Sequence, residues 1–144
     1  MSGGKASAFD NALLQLIFNA VSIANLAENA SSSPLTSLYV SLHTADPGTG
    51  GSQTTSEAAY GGYSRVAVAR TSSGWTVSGS TVTPAATIVF PSATSGSETE
   101  TYFAVGTASS GAGMILYRGP LSPGINVISG VAPEISTTST ITEA

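Results

Sequence analysis

Ser37-Leu38-Tyr39-Val40-Ser41-Leu42-His43-Thr44-Ala45-Asp46-Pro47 is the stretch whose reading decides the fold. Leu38, Val40 and Leu42 alternate with Tyr39, Ser41 and His43, the period of two expected of a strand with one buried face. Asp46-Pro47-Gly48 then stops it, because proline cannot continue a ladder and this tripeptide favours a turn. A helical pattern precedes the stretch and strand patterns follow it, which makes it the first strand of the main core. It also carries the single histidine of the chain.

Downstream, Gly48–Ala59 is a Gly/Ser/Thr loop, long enough to be functional or mobile. Tyr60-Gly61-Gly62-Tyr63 follows, and Arg65–Arg70 reads as a strand in which Val66 and Val68 alternate with Arg65, Ala67 and Ala69. Trp75–Val77 and Ser80–Thr83 read as a hairpin around Ser78-Gly79. Ala86–Phe90 is a strand with Ile88 and Phe90 on one face, closed by Pro91. Thr99–Thr107 is another, with Ser109–Gly113 as a turn. Met114–Tyr117 is broken by Gly119-Pro120, and Ile125–Ile128 and Ile135–Ile141 complete the set. About seven or eight short strands between Gly/Pro/Ser turns predict a mainly β fold, an antiparallel β-sandwich or jelly roll, with one N-terminal helix beside it.

Upstream, Met1–Ala8 is a small, polar arm. Phe9–Leu26 carries the helical pattern: Phe9, Leu13, Ile17, Ala20 and Ala24 recur at spacings of three and four, and Leu14, Phe18 and Val21 widen the stripe. Ser7 or Asp10 is the expected N-cap. With no charge between Asp10 and Glu28, most of the circumference is expected to be covered, by its own domain or by a neighbouring subunit. Asn11, Gln15, Asn19, Ser22 and Asn25 interrupt the apolar run of about 20 residues that a membrane span requires. The same interruptions make a poor signal-peptide core. Asn29–Thr36 is a Ser-rich linker, and its Asn29-Ala30-Ser31 glycosylation pattern is too common by chance to carry weight. The expected organisation is an arm, helix and linker over 1–36 and a β-sandwich domain over 37–144.

At 144 residues the chain is long enough to bury a core without staples. It has no cysteine, which removes disulfides and thiolate metal sites. Only 8% of residues are charged, against roughly 25% in an average soluble domain. Ser, Thr and Gly replace the missing charge, and such a surface loses little by being covered, which suits a protein that lives inside an assembly. The cations are Lys5, Arg65, Arg70 and Arg118, and the net charge is -4. Four scattered cations do not make the cluster that phosphate binding needs, so neither nucleic acid nor an anionic membrane is an expected partner.

Three constellations are candidates for chemistry. His43 with Asp46 and Glu57 falls short of the three or four ligands of a zinc site, and no Gly-x-Ser-x-Gly elbow accompanies it. A partly exposed packing or hydrogen-bonding histidine is the expectation. Glu98 and Glu100, at spacing two on one strand face, resemble a carboxylate pair, but a solvated strand face is favoured, since like charges at an edge deter mispairing. Tyr39, Tyr60, Tyr63, Trp75 and Tyr102 would serve a glycan-binding platform if exposed, although strand aromatics are more often core or interface anchors. Gly48-Thr49-Gly50-Gly51 and Gly111-Ala112-Gly113 lack the phosphate-loop pattern and are turns. No cofactor and no catalytic residue is expected.

Leu38-Tyr39-Val40-Ser41-Leu42-His43-Thr44-Ala45-Asp46-Pro47, followed by Tyr60-x-x-Tyr63-Ser64-Arg65-Val66-Ala67-Val68, resembles a group of small tailed-bacteriophage structural proteins. Ile88-Val89-Phe90-Pro91-Ser92-Ala93, Thr101-Tyr102-Phe103-Ala104-Val105, Leu116-Tyr117-x-Gly119 and Asn126-Val127-x-x-Gly130 are similar to their later strands. The resemblance covers most of the chain from Leu13 onward. It implies a tail- or fibre-type protein or a capsid cement protein, and it supplies no catalytic residues. The resulting expectation is a non-enzymatic virion protein, assembled in the host cytoplasm. A capsid-surface decoration subunit is favoured over a tail, fibre or head–tail component, with host-glycan binding as the other alternative. Its partners would be the major capsid protein and copies of itself. The residues expected to reach a neighbour are Phe9, Leu13, Leu14, Ile17, Phe18, Val21, Tyr60 and Tyr63.

Overall fold

The computed structural model describes residues 5–23 and 34–144. The expected start of the arm, the helix beyond residue 23 and most of the Ser-rich linker with its glycosylation pattern lie outside these residues. One helix, α1 (Ser7–Asn19), is followed by β1 (Ser37–His43), β2 (Val66–Ala69), β3 (Trp75–Ser78), β4 (Thr81–Pro84), β5 (Ile88–Val89), β6 (Ser97–Gly106), β7 (Ile115–Ile128), β8 (Glu134–Ile135) and β9 (Ile141–Thr142). The strands form sheets ordered β2-β1-β6-β7, β3-β4-β9 and β5-β8. The pairs β1–β6, β6–β7, β3–β4, β4–β9 and β5–β8 are all antiparallel. The protein is mainly β with one N-terminal helix, as its strand and turn pattern predicts.

The chain forms two compact units, each assembled from separated segments. One comprises Met1–Thr36, Ala69–Thr87 and Ser136–Ala144, and the other Ser37–Val68 and Ile88–Ile135.

In the first unit α1 packs on the β3–β4 hairpin. Leu14 and Phe18, one helical turn apart, are fully buried with Trp75 and Val82. Phe18 meets Trp75 edge to face, with ring centroids 4.8 Å apart, a favoured aromatic geometry. The hairpin forms at the predicted place, closing through Gly79-Ser80 between the paired Ser78 and Thr81. Asn11 donates to the Gly79 carbonyl at 2.7 Å and so ties the helix to that turn.

The helix departs from expectation at both ends. The N-cap is Ala6, without a side-chain cap, and Ser7 and Asp10 lie inside the first turn. At the other end Ala20 adopts a left-handed φ of 56° and Val21 N–H returns to the Gln15 carbonyl. That closure stops the helix before the apolar pattern ends. Arg70 reinforces it by donating to the carbonyls of Leu16 and Ile17 at 2.8 and 2.7 Å, placing a cation where the helix dipole favours one. Within α1 its own unit buries only Asp10, Leu14 and Phe18, and Phe9 is 38% exposed, so of the two expected sources of cover its own unit supplies only part.

In the second unit Leu38, Val40 and Leu42 are buried as predicted, but Ser41 and His43 on the opposite face are buried too. The expectation of one solvated face fails because the loop after β1 folds back over it. Thr44 N–H donates to the Ser56 carbonyl, Ala58 N–H donates to the Leu42 carbonyl, and His43 bridges Glu57 as in an antiparallel ladder. Tyr63 reaches into the same core. Its hydroxyl accepts from Leu42 N–H, and its ring stacks on Phe90 at 6.4 Å.

β7 stays paired through Gly119-Pro120, where a break was expected, and its register shifts after Pro120. It is the edge of its sheet, so its outer side has no neighbour to which proline must donate. Residues 121–124 form an irregularity opposite β6, between the pairs Tyr102–Pro120 and Glu100–Ile125. The predicted Ile135–Ile141 strand divides into β8 and β9, because Ser136 makes a local turn with Thr138 and Ser139.

Candidate functional site

The second face of β1 begins with His43. Its Nδ1 lies 2.9 Å from the Thr55 carbonyl, which only accepts, so Nδ1 carries the proton. Nε2 then accepts from the Ser41 hydroxyl at 2.9 Å. Burial is the main cause lowering the affinity of the ring for a second proton. His43 is therefore a neutral, fully occupied core residue, and more deeply buried than the sequence suggested. Asp46 turns away from it, accepting from Gly48 N–H at 2.8 Å and from Arg118 at 2.6 Å.

Glu57 is held by Arg65, whose Nε and Nη2 donate to the two carboxylate oxygens at 2.6 and 2.9 Å. Tyr63 donates to the same carboxylate at 3.0 Å. The Arg65 side chain is 3% exposed, and its remaining donors reach the carbonyls of Ala108 and Gly111 at 2.8 and 2.6 Å. One guanidinium thus joins the loop after β1 to the β6–β7 turn. Gln53 makes a second connection: its N–H donates to the Ala112 carbonyl at 2.7 Å, and its Oε1 accepts from Ala108 N–H at 2.9 Å. Gln53 is fully buried, and a side chain at either Gly106 or Gly113 would run into it. The predicted functional or mobile loop is a pinned one. Nothing in the sequence pattern distinguishes Gln53 from the Ser and Thr around it, so its role was not legible there.

Glu98 and Glu100 also contradict the expected solvated face. Glu98 Oε1 accepts from Ala59 and Tyr60 N–H at 2.8 and 2.9 Å, and Glu100 is fully buried. The aromatic platform does not assemble either. Trp75 is buried in the first unit, and Tyr60 is buried in the second, with its hydroxyl donating to the Pro91 carbonyl at 3.0 Å. Tyr63 is enclosed between Tyr60 and Phe90. Tyr39 and Tyr102 are half-buried strand residues. Among the residues expected to reach a neighbour, Leu14, Phe18 and Tyr60 spend their side chains inside their own unit. Leu13, Ile17 and Tyr63 are half-buried, and Phe9 and Val21 are exposed. Among the described residues no three His, Asp or Glu side chains gather into a metal-binding group.

These side chains do structural work, holding strands, loops and turns to one another, and the sequence match agrees. Residues 7–142 match the family described as Podophage GP4 fiber I protein gp80. The protein is a bacteriophage structural protein of the fibre type. More particularly, the chain belongs to that gp80 fibre family, the match running over almost its whole length. No curated protein matches it.

Proposed function

We propose that the protein is a fibre-type subunit of the virion, acting without catalysis by burying surface against copies of itself and against the major capsid protein. The observation that carries this reading is the match to a podophage fibre family over residues 7–142. The contact surface is the outer stripe of α1, formed by Phe9, Leu13 and Ile17 at spacing four, together with Val21 just beyond the helix end. Leu14 and Phe18 face inward, which frees the stripe for a neighbour. A half-exposed Val21 and a partly exposed Phe9 gain about 25 cal/mol per Å² when covered.

A second reading, a decoration subunit on the capsid surface, is favoured by composition. At 8% charged residues, a surface of Ser, Thr and Gly gives up few hydrated charges when it is covered at shell junctions. Quantitative mass spectrometry of purified particles separates the two. A few to a few dozen copies per particle support the fibre reading, and hundreds in simple ratio to the major capsid protein support decoration. Absence from the particle overturns both.

A further inference from the structure

Glu98 and Glu100 stand opposite Val127 and Ile125 of β7 in the β6–β7 ladder, which puts both carboxyl groups on one sheet face. Glu98 already serves the Ala59-Tyr60 segment through Oε1. Glu100 is fully buried, and neither of its oxygens meets a hydrogen-bond donor. Ionised, it would have lost its hydration and received nothing in return, the costliest state for a buried group. Two carboxylates are acceptors only and cannot bond to each other, whereas one added proton turns the contact into a charge-assisted hydrogen bond.

We propose that Glu98 and Glu100 share one proton at neutral pH, Glu100 donating as the carboxylic acid to the Glu98 carboxylate, and that this proton latches the Ala59-Tyr60 segment to β6. The titratable groups on that face are the pair itself and Tyr102 on β6, His43 of β1 opposite Tyr102, and Tyr60 from the segment after the loop, while β7 contributes the non-titrating Ile125 and Val127. Burial first, and the adjacent Glu98 second, push the Glu100 carboxyl up to about 8. Burial, with the two acids adding to it, pushes the Tyr60 phenol up to about 12. A carboxyl raised in the folded state gives stability that is complete below its unfolded value of 4.5 and is lost as pH rises through about 8. Above that point two carboxylates are forced together and the latch opens.

The test follows the side-chain carboxyl carbons of the full chain by NMR from pH 4 to pH 10, with amide exchange at Ala59 and Tyr60. The pair is expected to titrate in two separated steps, the upper near pH 8. Between the unfolded value of 4.5 and that step the open-to-closed ratio at Ala59 and Tyr60 should rise by up to about tenfold per pH unit, over and above base catalysis, and level off beyond it. In Glu100→Gln the upper step disappears, and the melting temperature no longer falls between pH 6 and pH 9 as the parent's does. Two carboxyls both ionised at pH 6, or parallel melting profiles for parent and Glu100→Gln, would overturn the proposal. Should the variant fail to fold, the parent's carboxyl titration alone decides.

Discussion

Replacing Arg65 with alanine removes one of the two residues that join the loop after β1 to the β6–β7 turn, and leaves the Gln53 connection in place. The change deletes two hydrogen bonds to Glu57 and one each to the carbonyls of Ala108 and Gly111. The carbonyls can rehydrate in an exposed turn, so most of the loss falls on Glu57, whose side chain is 15% exposed and keeps only the Tyr63 hydroxyl. Breaking one partner out of a buried pair costs about 3–5 kcal/mol, compared with about 0–1 kcal/mol for an exposed pair. For a chain of this size that is a fall of roughly 10–15 °C in melting temperature. Urea denaturation of Arg65→Ala, Glu57→Gln and the double variant measures the coupling directly. The double variant should lose less than the sum of the singles by at least about 1.5 kcal/mol, the strength of one charge-assisted hydrogen bond. Amide exchange should quicken at Gln53 and Ala108, the two N–H groups of the neighbouring connection. A single-variant loss under about 1 kcal/mol, with additive energies, would show that the ion pair behaves as a surface pair and would refute the reasoning.

Ala20→Gly should raise stability by about 0.5–1 kcal/mol, because Ala20 occupies a left-handed φ that glycine adopts freely; thermal denaturation reads it. Gly106→Ala should cost about 1–3 kcal/mol through overpacking against Gln53, and Gln53→Ala in the same chain should return part of that loss. His43 holds its proton less tightly folded than unfolded, so its stabilising contribution is present above the unfolded value of 6.5 and lost as pH falls through the lower folded value. The acid limb of the stability profile should therefore flatten in His43→Gln, measured by urea midpoints across that range. Phe9→Ser with Val21→Ser, both exposed, should change the melting temperature of the isolated protein by no more than about 4 °C, the effect of roughly 1 kcal/mol. The same pair of changes should weaken self-association in sedimentation analysis.

Elements fixed by neighbours in sequence were legible. The alternation of Leu38, Val40 and Leu42 gave β1 its core face, and the Ser78-Gly79 signal placed the hairpin. What depends on distant chain was not. Pro120 breaks a central strand but not an edge strand, and edge position is decided by which strands pair elsewhere. Ser41, His43 and Glu100 look solvated in a pattern of two, and each is buried by chain that the pattern does not contain. The apolar stripe of α1 continues past Asn19, yet the helix stops where Ala20 turns left-handed, a conformation that alanine does not announce. Tyr60 and Trp75 show why aromatic composition alone could not separate a glycan platform from a core.

The assembly of each unit from separated segments has a consequence for synthesis. The sheet of the first unit is complete only when Ile141 pairs with Val82, and the second unit's small sheet only when Ile135 pairs with Ile88. No nascent chain that stops short of Ile135 contains either unit's full set of strands. A ribosome adding about 5–20 residues per second therefore exposes Leu14, Phe18 and the β3–β4 hairpin for seconds before their last strand exists. Such late, long-range closure slows folding. It also sets a quality gate, since a product truncated before Ile135 has neither unit closed and is left with unpaired strands where a finished subunit has a surface.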